Sequence, residues 1–179
     1  MYLYVYEGFR GGPDRQAKTE ELVNRAVELF VVEKQLDMKH MSRAILRTEK
    51  GKPYFKELPL QFSVSHTDNL WVCLISDCAD PVGVDVQKKK EYSYEKIAAR
   101  YFTDDEKAEL SKNGTEAFFE IWTRKEAYAK YTGKGLTKDL AEISTLNDSE
   151  VTFKDFEIRA GVHGSCCVKE KRDLCLRMI

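Results

Sequence analysis

The sequence predicts an α+β fold, because helical and strand patterns occur in separate blocks along the chain. A helix and then strands are expected within the first 80 of the 179 residues, and helices and then strands in the rest. The patterns after Lys138 are those of strands only. No linker rich in Gly, Ser or Pro divides the two blocks, so we expect halves 1–80 and 81–179 to pack as one compact unit.

The first half begins with a strand over residues 2–6, YLYVY, whose residue types favour β structure. Thr19 then precedes a run of apolar residues at helical spacing, which predicts a helix with Thr19 as its N-cap and an end near Leu36. Three further short strands are expected in this half: 44–47, 61–64 and 70–76.

In the second half, residues 82–87 alternate valines with the smaller or polar residues Gly83, Asp85 and Gln87. Side chains alternate between the two faces of a strand, so Asp85 and Gln87 are expected about 7 Å apart on one face. A helix over 94–102 follows, and Thr103 with Glu106 forms a capping-box pattern that begins another. Further strands are expected after Lys138: 150–154, 156–160, 162–169 and 174–179.

A long helix is predicted from Thr115, after a break at Asn113-Gly114, to the stop signal Gly133. Within it Trp122, Lys125, Glu126, Ala129 and Lys130 are spaced three and four apart, so we expect them to share one face. A carboxylate between two lysines can bind a metal ion or accept a proton while the lysines hold phosphates. The alternative is an exposed face with an ordinary ion pair between Glu126 and Lys130.

Composition excludes several classes of protein. The net charge of −1 offers no general attraction to nucleic acid or to a membrane surface. No apolar run approaches the length of a membrane-spanning helix, and the first residues do not form a secretory signal. The five cysteines contain no C-x-x-C pair, so neither a disulfide framework nor a zinc site is expected, and reduced thiols in a cytoplasm are the simplest interpretation.

The segment WTRKEAYAKYTGKGL, residues 122–136, resembles the W-x-x-K-E-x-x-x-K…G-K-G-L signature of 4′-phosphopantetheinyl transferases of the Sfp type. Three earlier segments resemble the same family in the expected order: Gly51-Lys52-Pro53, FSVSHT at 62–67 and VGVDV at 82–86. Together the four segments cover about residues 45 to 140, which makes the resemblance specific.

The resemblance implies two similar α+β halves related by a pseudo-twofold axis, with coenzyme A bound between them. It implies a Mg²⁺-dependent enzyme that moves 4′-phosphopantetheine from coenzyme A to a serine of an apo-carrier protein, acyl or peptidyl, and releases 3′,5′-ADP. A monomeric, cytoplasmic protein with no nucleic acid or membrane partner is expected. The alternatives are a relative that binds coenzyme A without transfer, and a different Mg²⁺-dependent phosphotransferase.

The family motifs also imply roles for individual residues. Asp85 and Glu126 match the metal ligands, and Glu126 is also the candidate base. Lys125 and Lys130 match lysines that contact the coenzyme A phosphates, and Lys130 could also protonate the leaving group. Gln87 departs from the family pattern, because many relatives carry an acid there. Either its amide oxygen or a water is then expected to complete the metal site.

The remaining implied contacts are with the nucleotide end of coenzyme A and with the carrier. Lys52 and Pro53 match the segment near the adenine, and His66, beside Ser65, matches the histidine that holds the 3′-phosphate. For His66 the alternative is a turn residue that satisfies local backbone groups. Residues that could meet an acidic carrier lie after residue 87: Lys88, Lys89, Lys90, Tyr92, Tyr94, Ile97 and Tyr101.

Overall fold

The computed structural model describes residues 1–90, 94–147 and 150–179, and it confirms the α+β class. The strands are β1 (Tyr2–Glu7), β2 (Ile45–Arg47), β3 (Pro53–Phe55), β4 (Gln61–Thr67), β5 (Leu70–Ser76), β6 (Gly83–Lys88), β7 (Thr152–Arg159), β8 (Val162–Val168) and β9 (Cys175–Met178). The helices are α1 (Arg15–Glu33), α2 (Glu95–Tyr101), α3 (Asp104–Thr132) and a short 3-10 helix, Lys138–Glu142.

The strands form two main sheets. The larger has the order β4-β5-β1-β9, and the smaller has the order β6-β8-β7, while β2 and β3 form a separate hairpin. Neighbouring strands run antiparallel except β1 and β9, which are parallel. Strand β9, from the last residues of the chain, thereby completes a sheet built otherwise from residues 2–76.

The two sheets pack face to face through aliphatic side chains. Leu3, Val5 and Val72 of the larger sheet share a buried cluster with Val84 and Val86 of the smaller one. Helix α1 covers the other face of the larger sheet, and α3 covers the other face of the smaller one. The described residues therefore form a helix–sheet–sheet–helix arrangement, and none of the described helices is apolar and long enough to cross a bilayer.

Helix α1 begins at Arg15, four residues before the predicted N-cap Thr19, and ends at Glu33 rather than near Leu36. The apolar stripe from Leu22 to Phe30 sets the buried face, but the first turn is polar and leaves no periodic signal. Gln35, just beyond the helix, has a φ of 53°, which marks the chain reversal. The earlier start brings Arg15 into the helix and, as described below, to the edge of a cleft.

Helix α3 confirms two predicted features. The capping box of Thr103 and Glu106 is present at its start. Gly114, with φ 61° and ψ −138°, interrupts the helical backbone where a break was predicted. Farther along, the prediction of two strands over 150–154 and 156–160 is wrong, because β7 is one strand that pairs with β8 and shifts register only between Glu157 and Arg159.

Strand β6 approaches the backbone of α3 at Gly83. A Cβ at this position would lie 1.9 Å from the carbonyl oxygen of Ala127 and 2.6 Å from the amide nitrogen of Tyr131. Both are backbone atoms, so no small side-chain movement could relieve the overlap. The absence of a side chain at Gly83 therefore sets the distance between β6 and α3.

Strand β6 also lies against β4, where side-chain hydroxyls take the place of backbone carbonyls. Every second residue of this part of β4 carries a hydroxyl that accepts a hydrogen bond from a backbone N–H group of β6. Ser63 accepts from Val84 at 3.1 Å, Ser65 from Val86 at 3.4 Å and Thr67 from Lys88 at 3.1 Å. These three contacts, here called the hydroxyl seam, satisfy one edge of β6 and fix its position against the other sheet.

The contact at Gly83 generates a stability prediction. Gly83→Ala should lower the free energy of unfolding by about 2 kcal/mol or more, because the added methyl group overpacks a backbone contact. Urea unfolding followed by circular dichroism measures it. Gly11→Ala is the matched control, since a Cβ there meets nothing within 4 Å, and it should be nearly neutral. Equal effects of the two substitutions would contradict the packing argument.

Candidate active site

Asp85 and Lys130 meet where β6 crosses the last turns of α3. The Asp85 side chain is only 1% exposed, and its Oδ1 accepts a hydrogen bond from Lys130 Nζ at 2.7 Å. Glu126 lies one helical turn before Lys130 and lines the same cleft. The fold therefore brings together three residues that are 45 positions apart at the extremes.

Two further groups hold the Asp85 carboxylate. Ser65 Oγ donates to Asp85 Oδ1 at 2.7 Å, and Gln87 Nε2 donates to Asp85 Oδ2 at 3.1 Å. The predicted strand alternation is confirmed, because Asp85 and Gln87 project to the same face of β6 while Val84 and Val86 enter the core between the sheets. Gln87 presents its amide nitrogen, not its oxygen, to the carboxylate in this arrangement.

Glu126 has an unusual ionisation equilibrium. Burial and, to a smaller extent, the negative charge of Asp85 raise its pKa from 4.5 to about 7, although the ammonium of Lys130 opposes the shift. The carboxyl group can therefore take up or release a proton near neutral pH, which is the property required of a general acid or base.

The cleft consists of two hollows that meet at Val64, Glu126 and Lys130. One, of about 300 Å³, lies beneath the segment from Lys50 to Pro53 and reaches Phe62 and Leu136. The other, of about 430 Å³, is lined by residues of α1, β2, β4, β6 and α3. Their combined volume is in the range of small-molecule sites.

The second hollow is rich in cations. Arg15 at the start of α1, Arg47 on β2 and Lys130 on α3 all line it, together with the imidazole of His66. The His66 ring lies 5.2 Å from the Phe9 ring. Burial lowers the pKa of His66, Arg15 and Lys130 lower it further, and Asp85 opposes them. The hollow thus offers several positive groups to an anion.

The contribution of Arg47 was not anticipated from the sequence. It lies in a short strand that carried no site motif, and its Nη1 also donates to the Gly51 carbonyl oxygen at 3.0 Å. Its position at the cleft depends on how the β2–β3 hairpin packs, for which the sequence has no local signal. By contrast Lys18, the other basic residue near the start of α1, pairs with Glu21 at 2.8 Å.

The expectation that Lys125 shares a face with Glu126 and contacts phosphates is wrong. Its side chain is fully buried and pairs with Glu106 Oε2 at 2.7 Å. Its ammonium also donates to the carbonyl oxygens of Leu140 at 2.6 Å and Ile143 at 2.5 Å. Neighbouring helical residues point about 100° apart, so Lys125 is turned toward the 3-10 helix while Glu126 faces the cleft.

Lys52 and Pro53 both line the first hollow, but the ammonium of Lys52 is used structurally. It donates to the carbonyl oxygen of Tyr131 at 2.8 Å and to that of Val82 at 3.4 Å. Burial lowers the pKa of this lysine to about 8. The Lys52 side chain therefore ties the first half of the chain to the end of α3 and to the residue before β6.

Several of the residues that the sequence suggested for carrier contact have partners within the chain. Lys88 pairs with Asp68 at 2.7 Å, and Lys89 pairs with Glu116. Tyr94 stacks on Phe118 at 4.8 Å between ring centroids, and Tyr101 lies 5.6 Å from Trp122. Tyr92 lies outside the described residues.

The donor set of the cleft fits a hard divalent cation. Asp85 and Glu126 supply carboxylate oxygens, which Mg²⁺ prefers, and the charge of Asp85 acts on Glu126 strongly enough to raise its pKa. A cation at the two carboxylates would relieve that repulsion, and the Lys130 ammonium already supplies part of the compensation. Within residues 1–90, 94–147 and 150–179, no group of three or more His, Cys, Asp or Glu side chains forms a larger candidate metal centre.

Comparison with known proteins agrees with this site. The sequence profile of the 4′-phosphopantetheinyl transferase superfamily matches residues 81–176, which is more than half of the chain and includes Asp85, Glu126 and Lys130. The chain is 31% identical over 146 residues to 4′-phosphopantetheinyl transferase Sfp of Bacillus subtilis (strain 168), covering 78% of this chain and 62% of the relative.

Two other relatives give similar figures. The chain is 33% identical over 137 residues to 4′-phosphopantetheinyl transferase gsp of Aneurinibacillus migulanus, covering 68% of this chain and 56% of the relative. It is 35% identical over 98 residues to 4′-phosphopantetheinyl transferase HetI of Nostoc sp. (strain PCC 7120 / SAG 25.82 / UTEX 2576), covering 50% of this chain and 41% of the relative. The chain thus spans about half the length of the curated relatives that it matches.

The family profile covers more than half of the chain, and the matched part contains the strand and helix that build the site. The chain therefore belongs to the 4′-phosphopantetheinyl transferase superfamily.

Proposed function

We propose that this protein transfers 4′-phosphopantetheine from coenzyme A to a serine hydroxyl of an apo-carrier protein, acyl or peptidyl, with release of 3′,5′-ADP. The observation that carries the proposal is the convergence of Asp85, Glu126 and Lys130 at the junction of the two hollows. Its support from the comparisons is that the relatives bear the name of this activity.

The shape and charge of the cleft suit the two ends of a nucleotide. The lining of the first hollow includes the apolar side chains of Phe62 and Leu136, which suit an adenine ring. The second hollow has Arg15, Arg47 and His66, which suit phosphate groups. We assign the 3′-phosphate to His66 and its two arginine neighbours, and the pyrophosphate to the junction near Lys130.

We assign Asp85 and Glu126 as the residues that hold Mg²⁺. When bound there, the ion would neutralise pyrophosphate charge. Gln87 adds no charge to this set, and its amide now donates to Asp85. Rotation of that amide by 180° would present an oxygen instead, so Gln87 is retained as a third candidate ligand, with water as the alternative.

The residues also supply the proton transfers that the reaction needs. The serine oxygen of the carrier forms a bond to the β-phosphorus, the bond from that phosphorus to the bridging oxygen breaks, and 3′,5′-ADP leaves. We assign Glu126 as the acceptor of the serine proton, because its pKa of about 7 in the free protein suits a base at neutral pH. The Lys130 ammonium stabilises charge on the departing phosphate.

We propose that the protein acts as a monomer in the cytoplasm. The site is built from β4, β6 and α3 of a single chain, so no second copy is needed to complete it. All five cysteines are free thiols, which suits a reducing compartment. We assign docking of the carrier to the surface near α2 and the lysines that follow β6.

Mass spectrometry of an apo-carrier protein tests the proposal. Incubation with coenzyme A, Mg²⁺ and this protein should add one phosphopantetheine to the carrier, and a carrier whose acceptor serine is replaced by alanine should gain nothing. Omission of Mg²⁺, with EDTA present, should suppress the mass gain. Coenzyme A binding without any mass gain across acyl and peptidyl carriers would favour the non-transferring alternative.

Glu126→Gln should reduce turnover by at least about a thousandfold, equivalent to roughly 4 kcal/mol of barrier. The amide keeps the size of the side chain but cannot accept the serine proton. The measurement is the rate of carrier modification, with circular dichroism to check the fold. Glu120→Gln, at an exposed position of the same helix, is the control and should retain wild-type turnover. Turnover of the Glu126 variant within tenfold of wild type would exclude Glu126 as base and ligand.

The same substitution should make the protein more stable at neutral and higher pH. Because the folded-state pKa of Glu126 is raised to about 7, the folded protein binds a proton between pH 4.5 and 7 that the unfolded chain has released. Stability therefore falls as pH rises through this window. Relative to wild type, Glu126→Gln should gain roughly 1–3 kcal/mol above pH 7 and little near pH 4.5.

Urea unfolding of both proteins in EDTA at several pH values between 4.5 and 8 measures this difference. Adding Mg²⁺ to the wild type at pH 8 should recover stability, since a cation offsets the buried negative charge. If the difference in free energy of unfolding between the two proteins stays constant across this pH range, ionisation of Glu126 does not destabilise the folded protein.

His66→Ala should raise the KM for coenzyme A by about tenfold, because it removes one charge-assisted contact that contributes about 1.4 kcal/mol to binding. The KM for dephospho-coenzyme A should change much less, because that substrate lacks the 3′-phosphate. The second substrate is thus the internal control for general damage to the cleft. Equal increases for both substrates would place the 3′-phosphate away from His66.

A further inference from the structure

We propose that Ser65 is a positioning residue, whose hydroxyl holds the Asp85 carboxylate in the orientation that metal binding requires. The resemblance alone placed Ser65 beside the coenzyme. The inference rests on the proposed function only in taking Asp85 as a ligand of Mg²⁺. Strand β4 of one sheet would then set the geometry of a metal ligand carried by β6 of the other.

The hydroxyl of Ser65 has two partners of opposite kind. It donates to Asp85 Oδ1 at 2.7 Å and accepts from the backbone N–H of Val86 at 3.4 Å. A carboxylate only accepts and a backbone N–H only donates, so the hydroxyl proton has one direction available. Ser65 and Asp85 are 7% and 1% exposed, and burial of both groups limits competition from water.

The contact connects the position of the Asp85 side chain to its own backbone. Val86 directly follows Asp85 in β6, and the Ser65 hydroxyl forms hydrogen bonds with both the Asp85 carboxylate and the Val86 N–H. The Asp85 carboxylate is therefore fixed from two directions, by Ser65 on the β4 side and by Lys130 on the α3 side, and both bonds fall on Oδ1. Among the described residues, Oδ2 accepts a hydrogen bond only from the Gln87 amide, which is a neutral group that an ion could displace.

Removal of the Ser65 hydroxyl would leave Lys130 as the main partner of Oδ1. The carboxylate would then be free to turn toward the ammonium, away from its present orientation. Groups that orient metal ligands by hydrogen bonding commonly change metal affinity by 10- to 100-fold when removed. A loss of Mg²⁺ affinity without loss of the fold is therefore the expected signature.

The hydroxyl seam contains a matched control. Ser63 accepts from the N–H of Val84 at 3.1 Å in the same way that Ser65 accepts from Val86, and it is similarly buried at 5% exposed. Within the part of the chain that the structure describes, Ser63 makes no hydrogen bond to a carboxylate. Ser63→Ala therefore removes the seam contact alone, whereas Ser65→Ala removes the seam contact and the bond to Asp85.

The experiment compares Ser65→Ala, Ser65→Thr and Ser63→Ala with wild type, using the full chain. Mn²⁺ is the spectroscopic probe, and its binding is measured by electron paramagnetic resonance with and without coenzyme A. The Mg²⁺ concentration for half-maximal carrier modification is measured in parallel. Ser65→Ala should weaken Mn²⁺ binding and raise the Mg²⁺ midpoint by about tenfold or more. Ser63→Ala should stay within about twofold, and Ser65→Thr, which keeps the hydroxyl, should restore most of the affinity.

Three results would overturn the positioning role. The first is that Ser65→Ala and Ser63→Ala bind metal with equal affinity. The second is that Ser65→Ala changes nothing except the KM for coenzyme A at saturating metal, which rises. The third is that the wild type binds no Mn²⁺, either with or without coenzyme A. Failure of the proposed reaction is distinguishable from these. A wild type that binds Mn²⁺ in a Ser65-dependent manner but modifies no carrier would keep the inference and reject the transferase activity.

Discussion

The close approach of strand β6 to helix α3 is the constraint on which the rest of the structure depends. Gly83 permits it, because a single methyl group there would overlap the α3 backbone. Two residues later along β6, the same approach brings Asp85 to Lys130 at 2.7 Å. A buried carboxylate is costly unless donors surround it, and Ser65, Lys130 and Gln87 supply those donors. The packing contact and the chemistry of the site are therefore parts of one arrangement.

The cleft lies where elements from both halves of the chain meet: α1, the β2–β3 hairpin and β4 from the first half, and β6 and α3 from the second. The hydroxyl seam holds β6 against β4 without a shared ladder of backbone hydrogen bonds. Lys52 adds a second tie, since its ammonium reaches carbonyl oxygens at the end of α3 and before β6. A lysine used in this way loses much of its hydration, which is why burial lowers its pKa to about 8. The first half thus contributes both Arg15 and Arg47 of the cleft and the contacts that fix β6 and α3, which carry Asp85, Glu126 and Lys130.

Lys125 and Glu126 show how consecutive residues can take separate tasks. Lys125 is buried with Glu106, whose other oxygen accepts from the backbone N–H and the hydroxyl of Thr145 at 2.8 Å each. This network joins the start of α3, its middle and the segment after the 3-10 helix. Buried ion pairs add little net stability, but removal of one partner is strongly destabilising. Lys125 therefore supports the helix that presents Glu126, through contacts with Glu106 and the 3-10 helix rather than with the cleft.

The sequence by itself determined what depends on local spacing. Strand alternation placed Asp85 and Gln87 on one face, the capping box marked the start of α3, and a spacing of four residues brought Glu126 and Lys130 together. The motifs also identified the family. Only the tertiary structure decided which group packs against each face. Lys125 met a buried carboxylate, Arg47 reached the cleft through its hairpin, and β9 joined β1 from the far end of the chain. These outcomes depend on contacts between residues distant in sequence, and neither helical periodicity nor strand alternation carries information about them.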